Sequence, residues 1–317
     1  MSSERMKIPL IDLSNLGKDD SSRWESTKIE IREALQEYGC FEATCNNIPP
    51  ELKKSVDDGM RQLFDRPLAI KLRNKYPHKP YAGYMGQHDH VPLYESLGID
   101  GALSSRAVDT FANLMWPGQG NPTFSKDFRL YCEKLSELDK IVRRVVVESL
   151  GLEDYIDEHI NSTDYVCRMQ KYEAPRTPRS MLGLVPHTDK NILTVLHQLN
   201  HVNGLQFLTK DGKNWIPADQ TSPYSFVVVL GISFHAWTNG RLHAPYHKVV
   251  VSGDEARYSI GLFSVPKEGC VVKAPAELVD EDHPLLYKPF DYFKFLDFTS
   301  TDAGRVSSDP LKDYCGA

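Results

Sequence analysis

The chain has 317 residues, 41% of them hydrophobic and 25% charged, which is enough material for a folded core and excludes a disordered chain. Twenty glycines and twenty prolines are near average usage and exclude collagen-like or low-complexity sequence. With 37 basic against 43 acidic side chains, the net charge of −6 gives no electrostatic basis for binding nucleic acid.

The first fourteen residues hold no apolar run of signal-peptide length, and no later stretch reaches the ~20 apolar residues of a membrane helix. The expectation is a cytoplasmic chain with no membrane partner. Six cysteines, Cys40, Cys45, Cys132, Cys167, Cys270 and Cys315, include no CxxC pair and are expected to be reduced.

After a short apolar segment from Ile8 to Leu13, Ser21 and Ser22 are expected to cap a helix running to about Tyr38, with Gly39 as its stop. Pro49 and Pro50 open a second helix through about Leu63. Between about Pro67 and Pro122, Pro77, Pro80, Pro92 and Pro117 with several glycines predict irregular loop, of the length that binding loops have. A longer helix is expected after Thr123 and Ser125. Its apolar positions Phe128, Cys132, Leu135, Leu138, Val142, Val146 and Leu150 step by three or four, and Gly151 ends it.

From about Asp164 the pattern changes to short β-type runs: Tyr165 to Tyr172, Ile192 to His197, Leu205 to Leu208, Phe226 to Leu230, Lys248 to Val251 and Tyr258 to Phe263. Asn203-Gly204, Asp211-Gly212, Asn239-Gly240 and Ser252-Gly253-Asp254 punctuate them. Strands this short and regular predict an antiparallel barrel or jelly roll. The expected class is α+β: a double-stranded β-helix (jelly-roll) core flanked by helices, with a mostly helical N-terminal region.

The densest chemical signal is His187-Thr188-Asp189. On a strand, residues two apart share a face, so the imidazole and carboxylate can converge on one ion. A third ligand could come from His197, His201, His235, His243 or His247. His247 is best placed, immediately before the β-run Lys248 to Val251. Ten residues on, Arg257-Tyr258-Ser259 repeats the same-face spacing and offers a planar fork and a hydroxyl to a carboxylate. Two histidines and a carboxylate on one side of a metal leave other positions open, the arrangement of non-haem Fe(II) oxygenases. GxGxxG, Walker and GxSxG motifs are absent.

These motifs together resemble the plant Fe(II)/2-oxoglutarate-dependent dioxygenases, of the superfamily that includes isopenicillin N synthase. The resemblance spans Ile8 to Leu13, Tyr38-Gly39-Cys40-Phe41, Asn113 to Pro117, His187-Thr188-Asp189 with Leu193-Thr194 and Gly204-Leu205-Gln206, Trp237 to Arg241, His247-Lys248-Val249 and Arg257-Tyr258-Ser259. It implies Fe(II) on His187, Asp189 and His247. It also implies the distal carboxylate of 2-oxoglutarate on Arg257 and Ser259, with the Tyr172 hydroxyl beside them. Two departures stand out: Gln170-Lys171-Tyr172-Glu173 where the family has NxYP, and Gly231-Ile232 where it has Gly-Asp.

Tyr81 to Met85 and Pro92 to Asp100 look most like the subgroup of alkenyl- and hydroxyalkyl-glucosinolate-forming enzymes. The implied function is oxidation of a C–H bond of a small plant specialised metabolite, by hydroxylation or its dealkylation and desaturation variants. O₂ would be the oxidant, ascorbate a supporting reductant, and a monomer the default state. Tyr81, Tyr84, Met85 and Tyr94 are expected at the substrate mouth and Phe263 facing the iron. The expected division is 1–122, a helical and loop region contributing to the mouth; 123–284, the long helix and jelly-roll catalytic core; and 285–317, a segment packing over the core. The rival readings are a zinc-dependent hydrolase and a non-catalytic β-barrel small-molecule binding protein.

Overall fold

A computed structural model describes residues 6–14, 21–176 and 179–317. The chain opens with β1 (Leu10–Asp12), α1 (Ser21–Glu37), β2 (Cys40–Thr44), α2 (Pro50–Phe64), α3 (Leu68–Lys71), β3 (Tyr94–Asp100) and α4 (Ser105–Met115). Next come α5 (Pro122–Ser149), α6 (Ile156–Asn161), β4 (Thr163–Tyr172), β5 (Met181–His187), β6 (Leu193–Gln198), β7 (Leu205–Leu208), β8 (Trp215–Pro217) and β9 (Ser225–Leu230). It closes with α7 (Ile232–Trp237), β10 (His247–Val251), β11 (Arg257–Pro266), β12 (Val271–Val272), β13 (Phe290–Asp291), α8 (Tyr292–Ser300), α9 (Asp302–Val306) and α10 (Pro310–Cys315).

Two sheets make the core. The larger runs β1-β2-β9-β6-β11-β4-β3 and the smaller β5-β10-β7-β8. Apart from the parallel β1–β2 pair, neighbouring strands in both are antiparallel. The two faces of the larger sheet part cleanly because side chains alternate along a strand. Leu97, Met169, Ile260 and Leu262 join the apolar stripe of α5, including Phe128, Leu135 and Val142, in the main core. Tyr94 and Tyr172 point the other way and pack with Leu205, Phe207, Val249 and Val251 of the smaller sheet. The expected jelly roll within an α+β fold is what forms.

Several local expectations meet a different outcome. Ser21 and Ser22 lie in the first turn of α1, and the residues just before it fall outside those described. Helix α5 starts earlier than expected: Asn121 caps it by accepting a hydrogen bond from the Phe124 N–H at 3.0 Å, with Pro122 in the first turn. Thr123 and Ser125 are therefore inside the helix. The stop at Gly39 holds, since its φ is +69° and a β-carbon there would collide with the His243 carbonyl.

The larger correction is in the region read as irregular loop. It contains β3, which pairs with β4 along seven residues at the sheet edge, and α4, which packs on α5. The prolines and glycines frame these elements rather than prevent them. All six cysteines are free thiols. Among the described residues, no helix is long and apolar enough to cross a membrane.

Candidate metal centre and carboxylate clamp

His187 ends β5 and His247 begins β10, and the two are direct partners in the antiparallel register. Their rings lie 4.2 Å apart between centroids. Asp189 lies past the end of β5, so its convergence with His187 comes from the turn that follows and not from strand alternation. That turn is held from α7: the Ile232 N–H donates to the Asp189 carbonyl at 2.7 Å and the Gly231 N–H to the Ile192 carbonyl at 2.9 Å. A side chain at Gly231 would collide with Asn191. The Ile232 side chain, where the resembled family has an acid, packs against the main core.

The Nε2 atoms of His187 and His247 stand 3.6 and 3.7 Å from Asp189 Oδ1. One donor atom from each residue falls within a 4.8 Å span, and these three are the cluster of that kind among the described residues. The Nδ1–H of His187 donates to the Val185 carbonyl at 2.8 Å, and that of His247 faces the Pro245 carbonyl at 3.4 Å. These bonds leave each Nε2 lone pair turned to the shared space. Burial, with the His247 imidazole close by, lowers His187 to about 4, so it is a neutral donor at physiological pH. On the other carboxylate oxygen, Thr194 Oγ1–H donates to Asp189 Oδ2 at 2.6 Å.

The larger sheet faces this cluster with a cationic clamp. Arg257 is buried at the start of β11, paired across the strands with Tyr172. Its Nη1 donates to Ser259 Oγ at 2.9 Å and its Nη2 to Gln198 Oε1 at 3.3 Å, while its Nε is buried with no hydrogen-bond partner. Ser259 Oγ in turn donates to Gln170 Oε1 at 3.2 Å. The Tyr172 ring lies 5.3 Å from the guanidinium carbon, and burial raises its phenol above the usual value. A side chain on Gly183 of β5 would run into that ring and into Val251, so the two sheets meet closely here.

A buried guanidinium with an orphaned N–H and only neutral partners is a site for an anion. Two imidazoles and a carboxylate on one side of a shared point are a donor set for a divalent first-row metal with free positions. The residues present therefore fit both Fe(II) and a dicarboxylic keto acid.

The other histidines lie elsewhere. His197 is buried on the outer face between the Tyr131 hydroxyl and the Pro223 carbonyl, and His235 bonds the Leu242 carbonyl and the Tyr287 hydroxyl. His201 is exposed beside Glu255, and His243 is half-buried. Of the aromatic positions, Tyr81 and Phe263 meet in one apolar cluster with Val166 and Tyr292. Tyr94 and Met85 pack in the inter-sheet core with Tyr172, whereas the Tyr84 hydroxyl donates to Glu95 at 2.8 Å. Sequence reasoning missed Tyr292 because it sits in α8, far along the chain. It missed Gln198 and the hydrogen-bonding roles of Thr194 and Gln170 because these depend on residues that only the fold brings into reach.

Comparison with known proteins gives the family. Residues 163–266 match the family described as the 2OG-Fe(II) oxygenase superfamily. Residues 8–95 match that described as the non-haem dioxygenase in morphine synthesis N-terminal. The chain is 45% identical over 314 residues to the probable 2-oxoglutarate-dependent dioxygenase AOP1.2 of Arabidopsis thaliana, covering 97% of this chain and 95% of the relative. The Arabidopsis 2-oxoglutarate-dependent dioxygenase AOP2 is 32% identical over 434 residues, with 99% of each chain covered. Among solved structures, the dioxygenase for auxin oxidation in rice superposes with a TM-score of 0.81 at 30% identity, covering 98% of this chain and 100% of its own. JOX2 in complex with 2OG, Fe and JA gives 0.80 at 26%, covering 99% and 90%. By the family match and these relatives, the chain belongs to the Fe(II)- and 2-oxoglutarate-dependent dioxygenases.

Proposed function

We propose that His187, Asp189 and His247 hold the Fe(II), and that Arg257 and Ser259 bind the distal carboxylate of 2-oxoglutarate with the Tyr172 hydroxyl as a further donor. The observation that carries this reading is the orphaned, buried Nε of Arg257 beside Ser259, opposite the His-Asp-His cluster. Fe(II) and 2-oxoglutarate, when bound, would activate O₂ for oxidation of a C–H bond, with the keto acid oxidised to succinate and CO₂. The chain's own contribution is orientation. Thr194 aims the Asp189 carboxylate, the carbonyls of Val185 and Pro245 hold the two imidazole tautomers, and Gln170 and Gln198 set the Ser259–Arg257 pair.

The substrate in this reading is a small plant metabolite oxidised at a C–H bond, with ascorbate keeping the iron ferrous. Tyr81 and Phe263, with Val166 and Tyr292, supply an apolar wall beside the site that excludes water. Met85 and Tyr94 line its other side, next to Tyr172. Tyr84 contributes through Glu95 and the β3 edge.

The first test needs no substrate. Apo-protein mixed anaerobically with Fe(II) and 2-oxoglutarate is expected to give a visible metal-to-ligand charge-transfer band. His187→Ala should abolish it, and Arg257→Lys should keep it while raising the 2-oxoglutarate needed by tenfold or more. No band in the wild type, with zinc retained instead, would sink the reading in favour of a hydrolase, which has no use for the Arg257–Ser259 pair.

A further inference from the structure

Two residues before Gln170 on β4, Arg168 projects from the same face of the larger sheet, since residues two apart share a face. It is 8% exposed. Its guanidinium donates to the Tyr81 carbonyl, to the Gly83 carbonyl at 3.0 Å and to the Ser96 hydroxyl. All three acceptors are neutral, and among the described residues two of its five N–H groups carry no hydrogen bond. Among the described residues, no carboxylate forms an ion pair with it, whereas the nearby Lys71–Glu95 and Lys79–Asp100 pairs are closed at 2.7 and 2.8 Å.

Its surroundings have the form of a receptor. The cross-strand neighbours of Arg168 are Gly98 on β3 and Gly261 on β11, so no side chain flanks the guanidinium in its own row of the sheet. The Ala82 backbone lies over Gly98, where a β-carbon would collide with the Ala82 carbonyl oxygen and come within 3.1 Å of Arg168 Nη1, and one on Gly261 would come within 2.8 Å of the Phe263 ring. The Phe263 ring thus folds across Gly261, beside Arg168. Phe263 and Tyr81 belong to the apolar cluster with Val166 and Tyr292, and the Tyr81 hydroxyl is buried there without a partner.

Charge balance points the same way. On the reading above, the iron and Arg257 are matched by Asp189 and the two carboxylates of 2-oxoglutarate. Among the described residues Arg168 is then a buried cation on that sheet face with no counter-ion, and a buried charge without one is strongly unfavourable. We infer that Arg168 binds a carboxylate of the substrate, so the enzyme takes small organic acids with an apolar or aromatic body that packs against Phe263 and Tyr292, and the Tyr81 hydroxyl donates a second hydrogen bond. The inference rests on the proposed metal and cosubstrate site and adds the substrate class to it.

The competing role for Arg168 is structural, as a clamp that pins the Tyr81–Gly83 segment to the sheet. Acid and amide twins separate the two. Phenylacetate, indole-3-acetate and octanoate, each with its primary amide, would be titrated calorimetrically into anaerobic protein loaded with Fe(II) and 2-oxoglutarate. At least one acid is expected to bind tenfold or more tightly than its amide. In Arg168→Lys that preference should fall below threefold, with the amide affinity and the charge-transfer band kept. Ser96→Asp, which leaves Arg168 in place and supplies an internal counter-ion, should remove the preference as well. Equal binding of each acid and its amide in the wild type would overturn the inference. So would weak binding of all six probes, or equal weakening of acid and amide in Arg168→Lys. A missing charge-transfer band in the wild type would instead bring down the metal-site reading beneath it.

Discussion

Thr194 carries no charge, yet it governs where the Asp189 carboxylate points. Its hydroxyl donates to Asp189 Oδ2 at 2.6 Å and accepts from Asn191 Nδ2 at 3.1 Å, and the residue is wholly buried. Outer-shell partners of this type are typically worth about 10–100-fold in metal affinity. Thr194→Val keeps the shape and removes the bond, so Fe(II) affinity should fall within that range while the fold survives. Equal Fe(II) titration curves for the variant and wild type would refute this role. The residue scale also shows what a sequence makes legible. His187, Asp189, His247, Arg257 and Ser259 stand out because their chemistry is rare and their spacing regular. Thr194, Gln198 and Arg168 do not, because threonine, glutamine and arginine are common and their meaning lies in which strand they face.

At the scale of elements, β5 is the strand on which the site turns and the one hardest to read. It is an edge strand of the smaller sheet, with Leu182, Val185 and Pro186 exposed, so it lacks the apolar alternation that announces β4, β9 and β11. Pro186 would argue against a central strand but is tolerated at an edge. Strand β3 is hidden for a related reason: Glu95, Gly98 and Asp100 dilute its pattern, and pairing with β4 along one edge supplies what the sequence lacks. By contrast, α2 and the body of α5 are legible because their apolar stripes are long and periodic. The close approach of the sheets at β5 gives a prediction. A β-carbon on Gly183 would stand 2.7 Å from Val251 Cγ2 and 2.9 Å from Tyr172 Cδ1, both on buried side chains. Gly183→Ala should destabilise the fold by about 1–3 kcal/mol, the usual range for overpacking. Because β5 carries His187 four residues on, Fe(II) binding should weaken with it. Thermal unfolding and iron titration on the same preparation check both. A variant that melts like wild type and binds iron equally would show that the sheets yield freely there.

For the whole molecule, the histidines away from the metal cluster set how stability responds to acid. His197 is held at about 3 and His243 at about 4, both chiefly by burial. His159 is pushed well below its usual value by burial and then by Arg143, and His235 is lowered by burial. In the folded state His197 and His243 are neutral at pH 5 to 6.5, and burial favours the neutral forms of His159 and His235, whereas in the unfolded chain each protonates below about 6.5. The unfolded state then holds more protons, so stability is complete above about pH 6.5 and falls as the pH drops toward 4. Carboxylates whose pKa values are lowered, such as Asp12, Asp211 and Asp280, act only below about 4, which leaves the upper part of the acid limb to the histidines. Metal-free protein should therefore show a melting temperature that declines between pH 6.5 and 5, with proton uptake on unfolding. His243→Gln tests the assignment with least disturbance, since the His243 side chain is half-buried and, among the described residues, makes no side-chain hydrogen bond. Its acid limb should be shallower than that of wild type, with little change at pH 8. A melting temperature that stays level from pH 8 to 5, or an unchanged limb in His243→Gln, would show that these side chains do not set the acid response.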